Sequence, residues 1–278
     1  MTKTKAWAAA MTLVAAGMAA AEEAATKPPL SPVELQAARS ELRDPSEAKA
    51  VDAARRIAED LSPAATDAIL DELAIGAPPR VQAELLAGLA ERKDPRAYDV
   101  LAHYAQNRNP QLRKKAIVAL AALPDAEKPR VEPALIAALS DPSEDVRAAG
   151  ARALATREAH DDKRSPAVED ALVKLLAHHD GVAVEALGAL GGPGTARRLG
   201  ELFGQIPDGL LASTFSELLH RNDFGPDPIR LEVVKAIGKL TGPEATNALR
   251  DYVTETESDK QRPSRAEAKK LIELRGAQ

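Results

Sequence analysis

From Ser31 onward, apolar residues return every three to four positions in segments of 10 to 16 residues, separated by short breaks rich in Pro, Gly, Asp and Asn. That spacing places the apolar side chains of each segment on one helical face. It predicts helices over 31–42, 46–60, 64–75, 79–91, 96–106, 111–122, 130–139, 143–157, 167–178, 182–190, 194–203, 208–220, 229–240, 244–254 and 265–275. No long segment alternates with the two-residue period of a half-buried strand. The breaks carry helix-boundary chemistry, because proline is tolerated in a first helical turn and Asp or Asn before it accepts free amide protons. Asp44-Pro45, Asp94-Pro95, Asn109-Pro110, Asp141-Pro142 and Asp227-Pro228 are of this kind.

The segments repeat one another. VQAELLAGL from Val81, LRKKAIVAL from Leu112, VRAAGARAL from Val146, VAVEALGAL from Val182 and IRLEVVKAI from Ile229 share an aliphatic start. Each has a small or aliphatic residue four positions on and closes in a small residue followed by Leu or Ile. The first four starts lie 31, 34 and 36 residues apart. A second kind of helix lies between them, as in VEPALIAAL from Val131 and TARRLGELF from Thr195. Neither kind buries its apolar stripe alone, whereas a hairpin of the two stacked on its neighbours does, so a period in the thirties predicts an all-α superhelix of stacked hairpins. An ordinary globular bundle of alanine-rich helices is the alternative. The regular scheme is strained over 205–228, where the helix 208–220 is followed by another motif only 19 residues on, if Leu210 is matched to Ile229; an inserted or degenerate hairpin is expected there. Residues 254–265 are polar and read as a linker before a terminal helix from Ala266.

The stretch Asp141-Pro142-Ser-Glu-Asp-Val146-Arg147 with Ala153-Leu154 resembles a HEAT repeat of the short bacterial type, the kind also found in phycobilisome lyases. Asn109-Pro110-Gln-Leu112-Arg113 with Ala119-Leu120 is similar, as is Asp227-Pro228-Ile229-Arg230 with Ala236-Ile237. The turns Gly242-Pro243-Glu244-Ala245 and Gly192-Pro193-Gly194-Thr195-Ala196 resemble those the family places before its next helix. The likeness covers about 31–275 and departs from the pattern at Gln82 and Ala183, which stand where the family has arginine. What it implies is a HEAT-like solenoid that works by interaction or scaffolding. Family analogy alone also implies two alternatives, an accessory or small-ligand-binding role and a lyase-type activity linked to bilins.

Composition supports helices and adds a compartment. Only 3% of the 278 residues are aromatic, so the core must be built from Ala, Leu, Val and Ile, which suits close helix packing. Residues 1–21 order a basic start (Lys3, Lys5), an uncharged apolar run (6–18) and three alanines before Glu22. That order is a secretory signal peptide cleaved after Ala21, which predicts a periplasmic or secreted protein. A retained anchor needs roughly 20 apolar residues, and the run is shorter. Residues 22–30 read as a flexible leader. The chain has no cysteine, so in an oxidising compartment the fold stands on packing alone. The formal charge of −5 falls to −7 once Lys3 and Lys5 are removed, and an acidic body repels phosphate backbones unless a local Lys/Arg stripe compensates, which argues against nucleic acid.

Candidate chemistry is sparse. Arg113, Arg147 and Arg230 follow closely on helix starts, where a cation is poorly placed beside the helix dipole. Asp141, six residues before Arg147, and acids of adjacent repeats are expected to pair with them in a structural ladder rather than a catalytic site. His160-Asp161-Asp162 and His178-His179-Asp180 carry metal-ligating residue types, but adjacent helical residues point about 100° apart, so solvated helix ends are the expectation and no metal or cofactor is predicted. His103 and His220 are isolated. No nucleophile elbow or phosphate-cradling loop is present, since Pro193 removes an amide from the glycine-rich stretch 191–194. The terminal RAEAKKLIELRG has bases but no aromatic for a membrane surface, and reads as a cap. The expectation is a non-catalytic protein-binding module with an unidentified protein partner and no membrane span after cleavage.

Overall fold

A computed structural model describes residues 28–158, 165–256, 258–259 and 261–276; the predicted signal peptide and most of the leader lie outside them. Among the described residues there are fifteen α-helices and no strand. One layer holds α2 (Glu47–Glu59), α4 (Pro79–Arg92), α6 (Pro110–Ala122), α8 (Glu144–Glu158), α10 (Ala183–Leu190), α12 (Asp208–His220) and α14 (Gly242–Glu255). The other holds α1 (Pro32–Glu41), α3 (Pro63–Ile75), α5 (Tyr98–Tyr104), α7 (Lys128–Ala138), α9 (Pro166–Ala177), α11 (Pro193–Glu201), α13 (Asp227–Lys239) and α15 (Pro263–Gly276). Successive helices alternate between layers, each packing on its partner in the hairpin or on the next helix of the even row, which is the geometry of a solenoid.

Helix starts follow the boundary chemistry. The Ser31 hydroxyl accepts the Glu34 amide (3.3 Å), and the Glu34 carboxylate accepts the Ser31 amide (2.8 Å). The Asn109 side chain accepts from the Gln111 amide before Pro110 (2.9 Å). One continuous core runs the length of the stack, from Ala38 to Ala268, and is almost wholly aliphatic. Each fully buried Leu, Ile or Val in it, such as Leu85, Leu101, Ile117 and Leu135, contributes roughly 1.5–3 kcal/mol. The buried tyrosines keep their hydroxyls bonded: Tyr104 donates to the Leu73 carbonyl (3.0 Å), and Tyr252 meets the Ser264 hydroxyl (2.7 Å).

The two layers differ in spacing. Even-numbered helices pack closely, each on the next, from α2 to α14. Small residues permit it: a Cβ added to Gly88 in α4 would stand 2.8 Å from the Ala58 Cβ and 2.9 Å from its Cα, and one added to Gly188 in α10 would collide with Glu217 of α12. Odd-numbered neighbours touch marginally or not at all until α13 and α15, which pack as closely as the even row. The stack therefore bends toward the even layer over most of its length.

Of the inserted or degenerate hairpin expected at 205–228, no inserted helix pair is found among the described residues. Alternation of layers is unbroken there: α12 sits between α10 and α14, and α13 sits between α11 and α15. The motif spacing shortens because the motif-bearing helix changes layer. The motifs at Val81, Leu112, Val146 and Val182 begin even-layer helices, whereas Ile229 lies in odd-layer α13. The polar linker is also shorter than expected, because α14 extends to Glu255 and α15 begins at Pro263.

Candidate interaction surface

The arginines near the helix starts bind across repeats. Arg113 of α6 makes a two-pronged contact with Asp141, which precedes α8, through Nε–Oδ2 and Nη2–Oδ1 distances of 2.7 Å. Arg147 of α8 reaches Asp180, which precedes α10, at 2.5 Å. The carboxylate of Asp141 thus pairs with Arg113 rather than with Arg147, which takes the Asp141 backbone carbonyl instead (2.9 Å). Burial pushes the Asp141 carboxyl up, but hydrogen bonds from Arg113 and the Ser143 amide, with the charges of Arg113 and Arg147, hold it below the usual carboxylate range. Arg230 departs from the ladder. Its guanidinium is buried and donates to the carbonyls of Leu219, Arg221, Asn222 and Gly225, so it fastens the α12–α13 loop rather than pairing with an acid.

A second arginine device escaped the motif reading. Arg92 at the end of α4 donates to the Ile57 (2.8 Å) and Ala58 (2.9 Å) carbonyls at the end of α2. Arg157 of α8 donates to Ala121 and Leu123 at the end of α6, both at 2.7 Å. Arg221 after α12 donates to Gly188 (3.2 Å) and Gly191 (2.6 Å) at the end of α10. Arg275 of α15 does the same for α13, reaching the Leu240 carbonyl at 2.6 Å. Each guanidinium satisfies carbonyls that have no partner inside their own helix, at the negative end of the dipole. Arg92, Arg157 and Arg221 stand eleven residues after Val81, Val146 and Leu210, three positions beyond the nine-residue window of the repeat.

Among the described residues, His178-His179-Asp180 gathers no ligand set. Asp180 is engaged by Arg147 and by the Val182 amide, and the His179 ring donates to the Gln205 carbonyl at 3.1 Å. His103 stands edge-on to Tyr104, and His220 meets the Glu255 carboxylate at 2.7 Å. His160-Asp161-Asp162 lies outside the described residues. Among the described residues no three metal-ligating side chains converge, and no helix is long and apolar enough to cross a membrane.

What the surface offers instead is a series of open clefts. Between α5 and α7 a cleft of about 540 Å³ is walled by Ala102, Ala105, Ala134 and Ala137, with Pro133 and Tyr98 beside them. The Arg130 guanidinium lies 3.8 Å above the Tyr98 ring at its rim. Between α11 and α13 a second cleft, of about 270 Å³, is lined by Ala196, Gly200 and Ala236 with Phe203 and Phe215. The even layer has a shallower hollow of about 260 Å³ between α8 and α10, edged by Glu144, Arg152 and Glu185. Its neighbouring helices are cross-linked by Arg80–Glu47 (3.2 Å), Arg55–Glu84 (3.7 Å) and Lys114–Asp145 (3.2 Å).

The sequence profile of HEAT repeats matches residues 66–155 and again 131–219, together more than half of the chain. The chain belongs to the HEAT-repeat family. A search of the curated proteins finds no match. Among solved structures, an engineered protein is similar at 21% identity over 86% of this chain and 67% of its own, with a TM-score of 0.46. The complex of CpcE and CpcF of phycocyanin lyase from Nostoc sp. PCC7120 is similar at 16% identity over 90% of this chain and 97% of that one (TM-score 0.43). A designed armadillo repeat protein in complex with the peptide (KR)4 is similar at 16% identity over 86% and 98% (TM-score 0.43). The HEAT profile ends at residue 219, just before the motif helix changes layer.

Proposed function

We propose that this HEAT-repeat protein is a non-catalytic scaffold that binds a partner protein along its clefted surface, outside the cytoplasm. The observation that carries the reading is the serial placement of the clefts. The clefts between α5 and α7 and between α11 and α13 both open between helices of the odd layer, with apolar walls and charged rims, whereas a site built for one small substrate gathers polar groups in a single deep pocket. Site-specific photocrosslinking from Ala134 and Ala196 in the native cell tests it. Discrete protein adducts at these two positions, with none from exposed Ala74, are expected. A mature protein that yields no adduct but copurifies with one metabolite would replace the scaffold by a ligand-binding protein. Export rests on the ordering of Lys3, Lys5, the apolar run and the three alanines before Glu22. N-terminal sequencing of protein from the extracytoplasmic fraction is expected to begin at Glu22, and an intact Met1 start in a cytoplasmic pool would contradict it.

A further inference from the structure

We propose that the cleft between α11 and α13 takes a large apolar side chain of a partner peptide that carries a carboxylate next to it. The inference rests on the scaffold reading and assigns the chemistry that one cleft recognises. All three phenylalanines of the chain, Phe203, Phe215 and Phe224, fall within 22 residues around this place. Phe203 lines the cleft, and the fully buried Phe215 backs it with the two ring centroids 6.3 Å apart, so the floor of this cleft is aromatic. The volume of about 270 Å³ accommodates one phenyl or leucyl group rather than a folded element.

The walls are kept open. A glycine in a helix costs about 1 kcal/mol relative to alanine, and at Gly88 or Gly188 the close neighbour in the stack accounts for it. At Gly200 nothing does: an added Cβ would meet only the Phe203 Cε2 at 3.8 Å, an ordinary contact. The space next to Gly200 belongs to the cleft and not to packing between helices. The rim supplies the charge preference. Arg197 and Lys239 border the cleft, both exposed, and neither makes an ion pair among the described residues, unlike the arginines of the ladder. Glu232 on the same rim leaves a net charge of +1. At the cleft between α5 and α7 the rim cation, Arg130, is already held by Asp99 at 2.9 Å and Glu127 at 3.2 Å, so a free cationic edge distinguishes the α11–α13 site. An apolar residue flanked by an acid satisfies both features at once.

Fluorescence anisotropy with three labelled peptides that differ only in a central Phe-Glu, Phe-Gln or Ala-Glu pair, against the mature chain, tests the proposal. Phe-Glu is expected to bind at least fivefold more tightly than either other peptide. The double variant R197E/K239E should lose at least tenfold for Phe-Glu and prefer a Phe-Lys peptide. Gly200→Leu fills the cleft with a better helix former, so its helicity and melting temperature should hold while Phe-Glu binding drops at least tenfold. Equal binding of the three peptides, unchanged binding by both variants, or phenylpropionate binding as tightly as the peptide would overturn the assignment. The two readings fail differently. If the scaffold reading is wrong, no adduct forms at Ala134 in the wild-type protein; if only this assignment is wrong, that adduct forms and the peptide series is flat.

Discussion

At the scale of single residues, arginine joins the repeats in two ways, and the two have different exposure to pH. The Arg113–Asp141 pair is mostly sheltered, with side chains 13% and 11% exposed, and its geometry is the two-pronged one that makes such contacts strong. Asp141→Asn keeps an oxygen for the Ser143 amide but removes the charge, and should cost about 2 kcal/mol in urea unfolding, between the surface and buried limits. The pH dependence follows from the direction of the shift. A carboxyl lowered in the native state contributes stability that is complete above its unfolded value of about 3.9 and is lost as pH falls through the lower native value. The gap between wild type and Asp141→Asn should therefore be constant from neutral pH down to about pH 5, then close below the ordinary carboxyl value. A gap that widened on acidification would mean that Asp141 is not the paired acid. The carbonyl-binding arginines, by contrast, hold groups that do not titrate, and their contribution should persist through the same range.

At the scale of helices, glycine separates packing from vacancy. Gly88→Ala gains about 1 kcal/mol of helix propensity but drives a methyl against the Ala58 backbone, and overpacking of that kind costs 1–3 kcal/mol. The net change should be destabilising by about 1 kcal/mol. Gly200→Ala meets no such obstacle and should stabilise by up to about 1 kcal/mol. Thermal unfolding of the two variants side by side checks the pair, and a loss at Gly200 would show that its neighbours are closer than the structure has them. Helices as such were readable from the chain, since apolar spacing and Asp/Asn-Pro breaks determine where each begins. Fifteen segments were expected and fifteen helices are found among the described residues. Layer assignment was not readable in the same way. The Ile229 motif has the sequence of an even-layer helix but lies in the odd layer, because the row a helix joins is decided by its neighbours α11 and α15 and not by its own pattern. The arginine ladder could be anticipated in kind, from cations stranded at helix starts, but its partners could not, because Asp141 and Asp180 are close to Arg113 and Arg147 only after stacking. The clefts leave still less trace, since they are gaps between rows rather than properties of any segment.

At the scale of the whole molecule, a stack in which each helix meets only near neighbours should respond to damage locally. Its joints are not alike. Arginine-to-carbonyl contacts tie α2 to α4, α6 to α8, α10 to α12 and α13 to α15, and the acid ladder adds to the α6–α8 joint and ties α8 to α10. The α6–α8 joint carries both devices, and it lies near the middle of the array. Arg157→Ala leaves Ala121 and Leu123 with carbonyls that lose their donor at a joint where the arginine side chain is only 9% exposed, a loss of about 1–3 kcal/mol. Amide hydrogen exchange should then accelerate in α6 and α8 and remain at wild-type rates in α12 and α14, which do not pack on that joint. Uniform acceleration along the chain would mean that the array opens as one cooperative unit and that its joints are coupled far beyond their contacts. A local response would instead leave the α11–α13 cleft intact in Arg157→Ala, so that peptide binding there survives a weakened centre.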